Sequence, residues 1–339
     1  TITGNVAQSG SGFVRIGNTA GAGTITVGGT VTNNPTLTLS NATVNAAFNR
    51  GVIIFGDKPV TITGLVTVAA SYTGTATRNN GASTTIWTNT GEVRFLATAS
   101  ATTLTGGVSI NASYSGITPV DGGGGVLAAV VSNNGGVTFA GAVTGNILIP
   151  GGVTISTNWP DIASTTDANN GTFDASLRAG GSFGTVASRV GTINVTSSGT
   201  NGANGNFLAG TGAGFNGTNV TTSGGTGGFI TFGNEAVNLS GNVTNSRTSN
   251  AAHITFGTVP TAGLNVSIGG NLVSNGSSQT LFTNFDGGAA ETFTVTGTVN
   301  ISGGTVAVDP TAALNGTGTF QFGGLTISGG TLDLTGAGT

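Results

Sequence analysis

One unit written twice between Val60 and Val143 constrains this chain more than any other feature. Gly64-Leu65-Val66 through Tyr72-Thr73-Gly74 matches Gly106-Gly107-Val108 through Tyr114-Ser115-Gly116 at an offset of 42 residues. Asn89, Gly91, Val93 and Phe95 match Asn133, Gly135, Val137 and Phe139 at an offset of 44. Both copies alternate apolar and polar residues and turn at Gly or Asn, which is the pattern of stacked β-repeats. A shorter echo, 24 residues long, separates Phe232 from Phe256.

The repeating device is an alternating pair, one or two glycines, then another alternating pair. It recurs as TITVGGTV from Thr24, VTITGLVTV from Val60, VNLSGNV from Val237, VSIGGNLV from Val266 and LTISGGTLDL from Leu325. β-Branched residues at period two predict half-buried strands, and the internal glycines predict bends where a side chain would not fit. A second device is an aromatic strand end, at Phe55, Phe95, Phe139, Phe232, Phe256 and Phe320-Gln321-Phe322. With 17 Phe against two Trp and two Tyr, these predict one interior column of stacked rings.

Composition excludes several alternatives. The 63 glycines follow no three-residue period, so the chain is not collagen-like. Only 6% of residues are charged, but 37% are hydrophobic and mean hydropathy is +0.24, which argues against disorder. Net charge is −3 with eight basic residues placed singly, so no nucleic-acid footprint exists. The longest apolar run, near Val126 to Val131, is far too short for membrane insertion. Lacking Cys and Met, holding one Lys and starting at Thr1, the sequence reads as a mature or excised piece of a long-lived extracellular protein.

The expectation is therefore one all-β domain over 1–339, a parallel β-solenoid with coils of roughly 20–25 residues. On that count each 42–44-residue unit holds two coils, and ~22 residues per coil gives a rod on the order of 70 Å. An antiparallel sandwich or barrel is the competing arrangement, since Asn-Gly steps such as Asn80 and Asn134 also suit hairpins. Two stretches depart from the pattern: a protruding loop around 158–172 and a loose Gly/Asn-rich region around 201–228 with isolated Phe207 and Phe215.

GGLTISGGTLDLTGAG at Gly323–Gly338 resembles the strand repeats of bacterial autotransporter passengers. GGVTFAGAV at Gly135–Val143 and FITFGNEAVNLSGNVTN at Phe229–Asn245 are similar to repeats of filamentous-haemagglutinin-type adhesins. The resemblance implies a right-handed parallel β-helix exported to a bacterial surface. Its partners would be further copies of itself, stacked end to end, or a surface polysaccharide or a protein of a host or neighbouring cell.

Chemistry is sparse. The single histidine, His253, is expected at a surface or strand end, and no nucleophile elbow or phosphate loop occurs. No cofactor is implied, and the chain is expected not to be an enzyme. The competing function is a carbohydrate-active β-helix enzyme or binding module, which needs clustered carboxylates. The nearest group is Asp161, Asp167 and Asp174, close to Arg178, a weak calcium candidate with Asn169 and Asn170. Solvated loop acids are the plainer reading. Thr-x-Thr pairs such as Thr24–Thr26 and Thr61–Thr63 would order water if they stood in regular rows, as in ice-binding solenoids. Their irregular spacing assigns them instead to β-propensity.

Overall fold

The computed structural model describes residues 1–17, 22–39, 47–74, 86–97, 101–114, 130–139, 146–158, 172–179, 183–198, 203–209, 214–225, 228–233, 236–248, 252–257, 265–282, 292–308 and 319–334. These residues form no helix, and their strands build three sheets in which strands from successive coils pair in parallel. The molecule is a parallel β-solenoid, as the repeats predict.

Each coil crosses a first face, turns a tight corner, crosses a second face, and reaches a third face before returning to the first. The first face includes Ile25–Val27, Val60–Ile62, Thr102–Leu104, Val237–Leu239 and Val266–Ile268. The second includes Val31–Asn33, Val66–Gly74, Val108–Tyr114, Val153–Asn158 and Val243–Arg247. The third includes Gly12–Ile16, Ala47–Phe55, Ile86–Phe95, Val130–Phe139 and Phe229–Phe232.

One second-face file fixes the coil count. Val6, Val31, Val66, Val108, Val153, Ile193, Val220, Val243, Leu272, Val299 and Leu325 pair in succession. Successive coils therefore take 25, 35, 42, 45, 40, 27, 23, 29, 27 and 26 residues. The 42–44-residue unit is one coil, not two, and eleven coils at 4.8 Å give an axis on the order of 50 Å rather than 70. In the coils of 35 to 45 residues most of the surplus lies between the second and third faces, whereas in the last three coils it lies between the third and first, as from Phe256 to Val266 and from Phe282 to Thr292. The aligned sequence copies are physical neighbours: Tyr72 pairs with Tyr114, Asn89 with Asn133 and Phe95 with Phe139. Phe232 likewise pairs with Phe256.

The corner between first and second faces explains most of the recurring glycines. Two residues before each member of the valine file stand Gly4, Gly29, Gly64, Gly106, Gly151, Gly191, Gly241, Gly270, Gly297 and Gly323, with Thr218 the one exception. A Cβ on Gly106 would lie 2.5 Å from the carbonyl carbon of Gly64 and 2.6 Å from the Leu65 nitrogen. Successive corners touch backbone to backbone, so a side chain is excluded by contact rather than by dihedral angle. The next position holds an asparagine rung: Asn242 N donates to Asn219 Oδ1, Asn271 N to Asn242 Oδ1, and Thr298 N to Asn271 Oδ1, each at 2.8 Å.

Inside, the predicted phenylalanine column runs the length of the third-to-first-face corner. Phe55, Phe95 and Phe139 stack at 5.1 and 5.0 Å, and Phe232, Phe256 and Phe282 at 5.0 and 4.8 Å. Phe183 and Phe215 bridge the two stacks, and Phe293 and Phe320 continue the second. Each such contact contributes about 0.5–1.5 kcal/mol beyond burial.

The stretch expected to be loose, 201–228, carries Ala203–Ala209, Phe215–Gly217 and Val220–Gly224 in the same files. Phe207 and Phe215 are fully buried, not isolated, with rings 5.9 Å apart. Residues 159–171, which make up most of the expected protruding loop, lie outside the described residues.

Candidate functional surface

Alternation along each strand sends every second side chain outward, and register sorts these into files. On the second face one file reads Thr32, Thr67, Ser109, Thr154, Asn194, Thr221, Thr244, Val273, Asn300 and Thr326. Beside it runs Ala69, Asn111, Ser156, Thr196, Ser223 and Ser246. Neither file holds a charge or a ring. Thr154 is exposed, and Thr67, Ser109, Asn194, Thr221 and Thr244 are half-buried, as in the middle of a flat sheet. The Oδ1 of Asn111, enclosed within this pavement, has no hydrogen-bond partner.

The sequence missed this array because spacing along the chain hides it. Members of the file lie 23 to 45 residues apart from Thr32 to Thr244, yet each is one strand from the next. The Thr-x-Thr pairs that drew attention do not stack as pairs: Thr61 joins Thr26 and Thr103 on the first face, while Thr63 lies beyond the paired strands, toward the corner.

Charge is concentrated on the third face. Glu92 Oε2 accepts from Arg94 Nη2 at 2.6 Å, Glu92 Oε1 accepts from Thr138 Oγ1 at 3.1 Å, and Arg50 Nη2 stands 3.9 Å from Glu92 Oε2. The Arg50 guanidinium also lies 5.7 Å from the centre of the exposed Phe13 ring. The hydrogen bond to Glu92 raises the Arg94 pKa. A carboxylate so engaged with two arginines and a threonine acts as a clamp across coils.

Two polar residues occupy the interior, one of them the histidine expected at a surface or strand end. His253 is fully buried, not at the surface; its ring stacks on Phe229 at 5.1 Å, and its Nδ1 donates to Gly228 O at 2.7 Å. The carbonyl only accepts, so Nδ1 carries the proton. Burial lowers the His253 pKa, the Gly228 bond opposes this, and the Arg247 charge adds to the lowering. Arg247 is also fully buried, donating from Nε to Thr222 Oγ1 at 2.5 Å and from Nη2 to Val195 O at 3.0 Å. Desolvation pulls its pKa down to about 10, still charged at neutral pH. Around it, Asn245 Oδ1 accepts from Ser278 Oγ at 2.5 Å, and Asn245 Nδ2 donates to Gln279 O at 3.0 Å. These bonds tie neighbouring coils at the corner between the second and third faces.

Of the weak calcium candidates, Asp161 and Asp167 lie outside the described residues, as do Asn169 and Asn170. Asp174 sits on Thr172–Ala179, in register with Asn134 and Asn204, and Arg178 in register with Thr138 and Leu208. Among the described residues no three of His, Cys, Asp and Glu come together. Those residues include four acids, Asp57, Glu92, Asp174 and Asp333; the other seven of the eleven lie outside them. Comparison of the chain with family models, curated proteins and solved structures found no match.

Proposed function

We propose that this chain is a non-catalytic structural segment of an extracellular surface fibre or adhesin, of the kind its repeats resemble. The observation that carries this reading is the parallel pairing that continues through eleven coils from Val6 to Leu325, supported by backbone-contact corners and, between Asn219 and Thr298, asparagine rungs. Such a body resists bending because every coil is hydrogen-bonded along its length to the next, and its weakly charged exterior suits a spacer. Small-angle scattering of the purified chain tests it. A rod-like particle with an axis on the order of 50 Å is expected; a near-spherical particle overturns the reading.

End-to-end self-association belongs to the same proposal. Where the first and last coils are not covered by neighbouring sequence, they offer open strand edges and apolar surface, with Leu325 44% and Ile327 48% exposed. Arg15 and Asp333 stand in one third-face file at opposite ends, so a copy stacked in register sets them side by side. Sedimentation at rising concentration tests this: Asp333→Arg should weaken association and Arg15→Asp with Asp333→Arg should restore it. Equal association of all three forms overturns the in-register stack. The competing carbohydrate-active reading is tested by incubation with neutral and acidic polysaccharides. New reducing or unsaturated ends would replace the structural reading.

A further inference from the structure

We infer that the second face orders a layer of water and through it binds the surface of ice. This goes beyond a structural role and rests on the files led by Thr32 and Ala69 rather than on the resemblance. Parallel strands about 4.8 Å apart, with outward residues about 6.6 Å apart along each strand, make a two-dimensional lattice of small polar groups. Both repeats lie near those of the oxygen lattice in hexagonal ice. A lattice-matched surface gains once per repeat, so weak single contacts sum along the file.

The residue types fit that task. Thr67, Thr154, Thr221 and Thr244 each present a hydroxyl beside a methyl, and β-branching restricts them to few rotamers, so little entropy is lost on meeting a fixed partner. No charge interrupts either file, and a charge would impose its own tight hydration on the layer. Neutral polysaccharide is the other periodic ligand to weigh. The two files carry no aromatic platform on which a sugar ring would rest, so the array favours water.

The test is ice adsorption of the labelled chain during slow crystal growth, with inhibition of recrystallisation as a second readout. Wild type should enter the ice and arrest coarsening. Thr154→Tyr with Thr221→Tyr, which breaks the plane, should need at least about tenfold more protein for the same arrest. Thr61→Tyr, outward on the first face, should match wild type, and circular dichroism should show all three folded. Should the double variant misfold, Thr154→Val with Thr221→Val keeps the shape and removes two hydroxyls. Exclusion of wild type from ice overturns the inference, as do equal activity of face and control variants and capture by cellulose or chitin without capture by ice.

Discussion

Replacing Gly106 with alanine tests whether the glycine corner is held by contact between successive backbones. Gly106 has no positive φ, so alanine meets no backbone strain there. Its Cβ, however, would sit 2.5, 2.6 and 2.7 Å from Gly64 C, Leu65 N and Gly64 O. Normal contact is about 3.5–4.0 Å, so adjacent coils must part by roughly an ångström at a point where neither side is a flexible side chain. Two inter-coil bonds bracket the contact, Thr105 N to Ile62 O at 2.9 Å and Val66 N to Gly107 O at 3.0 Å. Overpacking costs about 1–3 kcal/mol, and weakening these bonds adds about 0.5–1.5 kcal/mol each. The lowered entropy of the unfolded chain returns about 0.4–1 kcal/mol. The net expectation is destabilisation of about 3 kcal/mol.

The structure supplies its own control. Gly4 begins the same corner file, yet a Cβ there has nothing within 4 Å, because each corner Cβ points toward the preceding coil and the first described coil has none. Gly4→Ala should therefore be neutral or stabilising by about 0.4–1 kcal/mol. Urea midpoints give the overall comparison, and amide exchange at Val66 and Val108 reports the local opening, since solenoids lose structure repeat by repeat. If Gly106→Ala and Gly4→Ala lie within about 0.5 kcal/mol, corner contact is not what selects glycine.

Three further outcomes are expected. Phe256→Ala removes a ring stacked on both Phe232 and Phe282 and should cost about 3–5 kcal/mol, read from urea midpoints. Asn242→Ala leaves the Asn271 amide without its acceptor and should cost about 1 kcal/mol, with faster exchange at that amide. His253 is neutral when folded because its pKa is lowered, whereas the unfolded chain binds a proton below about 6.5. Stability is therefore complete above about pH 6.5 and declines as pH falls below it; His253→Gln should flatten that slope in urea midpoints taken between pH 7.5 and 5.

What the sequence made legible was local and periodic. The matched residues at offsets 42 and 44 are paired strands, because identical neighbours in a parallel ladder place like side chains in one environment. The phenylalanine column followed from the same logic. The coil length did not, since similarity marks which residues are neighbours without showing how far the chain wanders between faces. A 42-residue repeat therefore looks like two short coils when it is one coil with a long connection.

The same wandering concealed the candidate surface. A threonine file is regular only in the axial direction, and the chain samples that direction once per coil at intervals from 23 to 45 residues. His253 was misplaced, and Arg247 passed over, for a different reason. Type alone puts arginine outside, but Arg247 ends an alternating strand at an inward position, two residues beyond Asn245 and four beyond Val243. Its inward phase was present in the alternation, and overriding it required partners that sequence does not reveal: Val195 O, 52 residues earlier, and Thr222 Oγ1, 25 residues earlier. A buried charge is tolerated where carbonyls and hydroxyls from adjacent coils converge on it. In a solenoid such convergence comes from stacking, so the rule that reads polar residues as exterior fails first at inward positions near the corners.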